Sequence, residues 1–177
     1  MNAMECILSR RSIRSYTGAM PDREELDAVL AAAHASPVGM GRYENIMLTV
    51  IRNKAFLSAL DARTAEALGR EGAHPLYGAP VLVVVSSRFP GAPNENSAYS
   101  NAAIAAENMA LAAAAQGLGA CLIWGAIRTL NASADLLDQL GLPEDFRPCC
   151  AVTLGKTEEA YPLRTEPAHH MRTEYMD

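Results

Sequence analysis

The stretch from Ser97 to Gln116 constrains this chain more than any other, because half of its twenty residues are alanine. Alanine is the strongest helix former, and Gly117 just past the stretch is a C-cap, so one long helix is expected here. Its apolar residues surround the axis, which places the helix at the centre of the fold rather than on its surface. Small side chains along it permit close helix packing, either within the core or between subunits.

The flanking segments are read by periodicity. Residues 3–9 form a short helix, and after the turn at Thr17-Gly18 a second starts at Pro21-Asp22, with Leu26, Val29, Leu30 and Ala33 on one stripe. Ser36 to Gly41 ends it. Ile46–Ile51 is a strand, and residues 54–69 form an amphipathic helix carrying Phe56, Leu57, Leu60 and Leu68. Val81–Val85 is a continuous aliphatic run, the signature of a strand buried on both faces. Phe89 to Asn94 is a Pro/Gly loop expected near a pocket mouth. Gly119 to Gly125 reads as a strand or strand-like turn, residues 133–140 as a short helix, and Cys149–Gly155 as a final core strand.

At 177 residues, half of them apolar, the chain fits one domain, residues 1–177, with an α+β or α/β alternation of elements. Fifteen Lys and Arg against twenty Asp and Glu give a net charge of -5, which disfavours nonspecific attraction to nucleic acid or anionic membrane. No apolar run approaches the roughly 20 residues of a membrane helix. Residues 1–20 lack a secretory apolar region, so the cytoplasm is expected.

Cys6, Cys121, Cys149 and Cys150 have no metal-type spacing and are expected to be reduced and mostly buried. His34, His74, His169 and His170 likewise show no ligand spacing, so no metal site is expected. Glu107 and Asn108, inside the apolar helix, are expected to make structural hydrogen bonds. Gly117-Leu118-Gly119 follows a helix rather than a strand and is no dinucleotide fingerprint.

Against this acidic background, Ser9-Arg10-Arg11-Ser12-Ile13-Arg14 gathers three guanidiniums and two hydroxyls within six residues. Guanidinium forks match phosphate and carboxylate oxygens two at a time, so the segment suits a small phosphorylated ligand. A solvated basic turn, or a helix C-terminus stabilised by cations, has the same composition, and the hexapeptide alone leaves both open.

Four landmarks, in order along the chain, resemble the nitroreductase family of flavin-dependent oxidoreductases. They are Arg10-Arg11-Ser12-Ile13-Arg14; Gly78-Ala79-Pro80 with the aliphatic strand after it; Glu107 to Ala113 closing in Gly117-Leu118-Gly119; and Leu142-Pro143-Glu144-Asp145-Phe146 with the strand ending at Leu154-Gly155-Lys156. The resemblance implies an α+β, three-layer arrangement: a mixed, mainly antiparallel sheet flanked by helices in an intertwined homodimer. Two FMN sites would lie at the subunit interface, and residues 157–177 would form a C-terminal extension packing on the partner subunit.

Carried over, the resemblance gives Arg10 and Ser12 the FMN phosphate and Arg11 the pyrimidine edge of the flavin, with Arg14 in the same segment. Trp124 and Gly125 would offer backbone N–H groups near flavin N5 and O4, and Lys156 and Arg164 would complete the phosphate grip. Where the family commonly carries Pro-Ser followed by Asn, Gln, Pro and Trp, this chain reads Pro37-Val38-Gly39-Met40-Gly41-Arg42-Tyr43-Glu44-Asn45. The usual amide side chains are missing, so backbone groups of Pro37, Val38 and Gly39 are expected to line the flavin.

The implied activity is a ping-pong oxidoreductase: NADH or NADPH reduces FMN, and a nitroaromatic, quinone or enone then takes the electrons. No side chain is needed as a nucleophile, so no catalytic residue is assigned. The alternatives are a flavin-binding or flavin-storage protein without nicotinamide turnover, and a dimeric interaction protein that keeps only the scaffold.

Overall fold

The computed structural model describes residues 2–89, 91 and 95–176. Pro90 and Ala92 to Asn94 of the expected Pro/Gly loop therefore lie outside the described residues. The elements run α1 (Ala3–Ser9), α2 (Arg23–His34), a 3-10 turn (Gly39–Gly41) and a second (Tyr43–Asn45), β1 (Ile46–Ile51), α3 (Lys54–Ala67), β2 (Val81–Arg88), α4 (Glu95–Ala115), β3 (Gly119–Ile123), α5 (Gly125–Ala132), α6 (Ala134–Asp138) and β4 (Phe146–Gly155).

The aliphatic run explains the layering. In a strand, alternate side chains leave opposite faces. Val81, Val83 and Val85 accordingly join α2 and α4 in one core, whereas Leu82 and Val84 join α3, α5 and α6 in the other. The result is a sheet of order β1-β2-β4-β3 between two helical layers, with β2 and β4, buried except at Arg88 and Arg147, at its centre. Every ladder among the described residues is antiparallel, which bears out the mainly antiparallel character expected and shows no parallel pair among them. Helical connections between strands can return the chain in either sense, and spacing alone does not distinguish the two.

Local chemistry sets the helix ends. Asn2 with Glu5 and Asp22 with Glu25 form capping boxes at the starts of α1 and α2. At the end of α4, Leu118 N–H donates to Ala113 O and Gly117 N–H to Ala114 O, with Gly117 at φ +72°. That is a Schellman ending, which a left-handed glycine makes possible.

One further boundary differs from expectation for a physical reason. β4 begins at Phe146 rather than Cys149. Its register against β2 shifts so that Val85 faces Cys150 and Ser86 faces Pro148, leaving Cys149 as a bulge. The bulge explains why adjacent Cys149 and Cys150 belong to the same core cluster. α5 fills the stretch between β3 and the helix expected at residues 133–140, where buried Ala126, Ile127 and Leu130 pull the segment onto α3. Burial pushes the Cys149 thiol up and the Cys150 thiol up to about 12, so neither is a thiolate at neutral pH.

Candidate cofactor site

After α1 the chain is extended, and the end of the sheet holds it in place. Ile13, fully buried, donates its N–H to Ala120 O at 2.8 Å; Thr17 N–H donates to Lys156 O, and Lys156 N–H to Ala19 O. Tyr16 clamps the segment from inside. Its ring lies over Gly119 and Gly155, which face each other across the β3–β4 ladder. Its hydroxyl donates to Ile13 O at 3.1 Å and lies 2.8 Å from Thr153 Oγ1. Burial raises the Tyr16 phenol far above its ordinary value, so it stays a neutral donor.

On this platform the basic side chains meet carboxylates. Arg10 Nε lies 2.8 Å from Glu107 Oε1 of α4, with the side chains 28% and 43% exposed. Arg11 pairs with Glu159. Both guanidiniums are near Tyr161, whose phenol burial pushes up to about 12 while their positive charge opposes the rise. Tyr161 donates to Leu118 O at 2.8 Å, and Thr157 Oγ1 donates to Ser15 O at 2.8 Å. Residues 157–161 thus pack against their own chain. Beyond them the described tail has no regular secondary structure, and Leu163, Met171, Tyr175 and Met176 are exposed.

The other candidate residues occupy separate positions. Arg14 is exposed and points to Tyr77, its guanidinium 5.8 Å from the ring centroid. A hydrogen bond with Tyr77 strengthens its charged form. Tyr77 has φ +56° in a loop that Asp61 fastens, accepting from Leu76 N–H at 2.7 Å and pairing with His74 Nδ1 at 2.9 Å. Pro37, Val38 and Gly39 follow α2, where Asn108 Nδ2 donates to Ser36 Oγ and Gly39 N–H donates to Asn101 Oδ1 at 3.1 Å. Asn108 is thus the structural hydrogen-bond donor its position led us to expect.

Trp124, half exposed, precedes α5 and offers its first turn no side-chain acceptor; Gly125, its first residue, contacts Thr64 and Leu68 of α3. Lys156 Nζ is held 2.6 Å from Glu25 Oε2, the carboxylate that also closes the α2 capping box. Arg164 is half-buried and makes no ion pair among the described residues. Arg10 and Arg11 both lie near Tyr161, whereas Gly39 borders a cleft lined by Met40, Ser87 and Asn101.

The donors suit a phosphorylated cofactor. Arg11 Nε and Ser9 Oγ are buried without a hydrogen-bond partner among the described residues, and a buried unsatisfied donor favours arrival of an acceptor. The first amides of α5 are also left without a side-chain cap, as an anionic or carbonyl ligand requires. Sequence reasoning missed Tyr16, Tyr77, Glu159 and Tyr161. Tyr16 and Tyr161 carried a readable signal, as aromatic residues close to the basic segment and to Lys156, but nothing local showed where they pack.

An antiparallel sheet between two helical layers, with a basic segment clamped to its end, defines an α+β protein. The nitroreductase family model matches residues 7–156, and the chain belongs to that family. It is 28% identical over 166 residues to the FMN reductase (NADPH) of Bacillus subtilis (strain 168), covering 87% of this chain. The chain spans 65% of that relative's length. Over its whole length and theirs, the fold superposes on a nitroreductase with bound FMN from Bacteroides fragilis NCTC 9343 (28% identity, TM-score 0.81). It likewise matches the fold of a nitroreductase from Desulfitobacterium hafniense DCB-2 (24% identity, TM-score 0.82).

Proposed function

We propose that this chain is an FMN-dependent NAD(P)H oxidoreductase working as a homodimer. The observation that carries the reading is the half-buried Arg10-Arg11-Ser12 donor set, clamped to the sheet end in a chain whose Bacteroides fragilis relative holds FMN. When bound, FMN supplies a ring that takes two electrons from the nicotinamide and passes them to an oxidised acceptor.

In this reading Arg10 and Ser12 hold the phosphate, with Lys156 and Arg164 completing the grip. Arg11 faces the pyrimidine edge, where its positive charge stabilises the reduced ring, and Arg14 supports the same segment. The backbone amides at Trp124 and Gly125 orient the other edge. Backbone groups of Pro37, Val38 and Gly39 line the flavin at the interface with a second copy. Exposed Leu163, Tyr175 and Met176 pack on that copy, as do Met4 and Ile7 of α1. The reductant and a nitroaromatic, quinone or enone acceptor then occupy one slot in turn, and no side chain acts as a nucleophile.

The test is the visible spectrum of the purified protein with FMN added, before and after NADH or NADPH without oxygen. Flavin bands that bleach are expected. Bands that persist would leave flavin binding or storage without nicotinamide turnover, and no bound flavin would leave only the scaffold. Light scattering of the same sample at micromolar concentration is expected to give twice the chain mass.

A further inference from the structure

The cleft beside Gly39 carries chemistry that the flavin contacts do not use. It has a volume of about 400 Å³ and lies where the 3-10 turn Gly39–Gly41, the end of β2 and the first turns of α4 meet. Arg42, Asn45, Arg88 and Asn101 line it, and among the described residues no Asp or Glu does. Elsewhere Arg10, Arg11, Arg23, Arg63 and Lys156 each face a carboxylate. Arg42 and Arg88 form no ion pair among the described residues, in a chain whose net charge is -5.

Strand register brings the two arginines together. Ile46 of β1 faces Ser87 of β2, so Asn45 and Arg42 end up beside Arg88 where the ladder stops. Arg88 is not loose: its guanidinium lies 5.3 Å from the centroid of Phe146, its ladder partner on β4. Stacking fixes the plane of the fork while its in-plane N–H groups remain available to an anion.

Across the cleft, Asn101 Oδ1 accepts from Gly39 N–H, which leaves its NH₂ group as a donor. The turn above is strained. Met40 has φ +57°, a left-handed conformation unusual for a residue with a side chain, and is 83% exposed. Backbone strain of this kind persists where the surroundings impose it, and it gathers at ligand sites.

We propose that this cleft is a phosphate subsite for the dinucleotide reductant, held by Arg42 and Arg88 with Asn101 as a third donor. The proposal rests on the reading of the chain as an NAD(P)H oxidoreductase. Gly39 forms both the wall of the cleft and part of the segment assigned to the flavin, so a nicotinamide stacked on the ring has its phosphates directed toward Arg42. Two guanidiniums with no competing carboxylate match a dianionic phosphate better than a neutral acceptor. Arg42 and Arg88 are therefore specificity-determining residues for the reductant.

The test titrates the full-length protein with 2′-phospho-ADP-ribose and with ADP-ribose by calorimetry, comparing native protein with R42Q, R88Q and the double variant. FMN uptake is followed separately by its absorbance. The double variant is expected to bind 2′-phospho-ADP-ribose at least about tenfold more weakly, with a shallower salt dependence and undiminished FMN uptake. Loss confined to 2′-phospho-ADP-ribose assigns the cleft to the 2′-phosphate, and equal loss with ADP-ribose assigns it to the pyrophosphate; both support the subsite. Unchanged affinity in the double variant, or no binding of either probe by native protein, overturns it. R42Q guards against a folding artefact, since Arg42 is exposed and its side chain makes no hydrogen bond or ion pair among the described residues. Failure of the oxidoreductase reading looks different: FMN is not taken up, or is not bleached by either nicotinamide, whatever the titrations give.

Discussion

Arg10→Ala is expected to weaken FMN binding by about 2 kcal/mol, roughly 30-fold in dissociation constant, while leaving the fold almost unchanged. The affinity loss follows from removing a charged donor from a phosphate in a half-buried setting, where a charge-assisted bond is worth more than a neutral one. The small effect on stability follows from the Glu107 partner, which is 43% exposed and can be hydrated once released. An ion pair at such exposure contributes on the order of 1 kcal/mol or less.

FMN fluorescence quenching measures the first quantity and urea unfolding the second. Equal affinity in variant and native protein would remove Arg10 from the site; a large loss of stability would make it a structural residue instead. Arg14→Ala is the informative contrast, because Arg14 faces Tyr77 rather than the Arg10–Glu107 and Arg11–Glu159 pairs. Those carboxylates offset the charge an incoming phosphate meets, so FMN affinity should depend less steeply on salt than at a site of unpaired arginines.

The central layer of this fold was legible because its signals are local and redundant. Ten alanines between Ser97 and Gln116 and a glycine at Gly117 specify α4 and its end without reference to the rest of the chain. Val81–Val85 specifies a two-faced strand in the same way. What escaped depends on distant partners. α5 is eight residues long, begins on a glycine and gains its stability from α3, so its short periodicity specified no element. Pro148 lies ahead of the strand start expected at Cys149, and the bulge at Cys149 gives it a place in β4.

The site divides along the same line. The residue types of Arg10, Arg11 and Ser12 announce an anion, whereas their partners Glu107 and Glu159 are 97 and 148 positions away in sequence. The divergence of Arg14 toward Tyr77 depends on a positive-φ loop fastened by Asp61, and no motif encodes it.

The clamp beneath the basic segment yields the largest expected effect on stability. Gly119 and Gly155 form a floor without side chains under Tyr16, and the two positions should respond differently to a methyl group. A Cβ at Gly119 would come within 2.8 Å of Tyr16 Cε1 and 3.0 Å of Ile13 Cγ2, both side-chain atoms. At Gly155 it would come within 2.7 Å of Pro80 Cδ as well as 2.9 Å of Tyr16 Cδ1. The Pro80 ring is tied to its own backbone just before β2 and cannot swing away.

Each Gly→Ala change is expected to destabilise by about 1–3 kcal/mol, with Gly155→Ala the more severe. Combining each change with Tyr16→Ala separates the causes. The double variant should recover most of the loss at Gly119 and little of it at Gly155, a difference in coupling of about 1 kcal/mol that urea unfolding resolves. A displaced Tyr16 also frees the segment it holds, so Gly119→Ala should weaken FMN binding although it touches no proposed ligand. If Gly155→Ala proved as stable as the native chain, or Tyr16→Ala rescued both positions alike, the rigid Pro80 contact would not be what keeps glycine there.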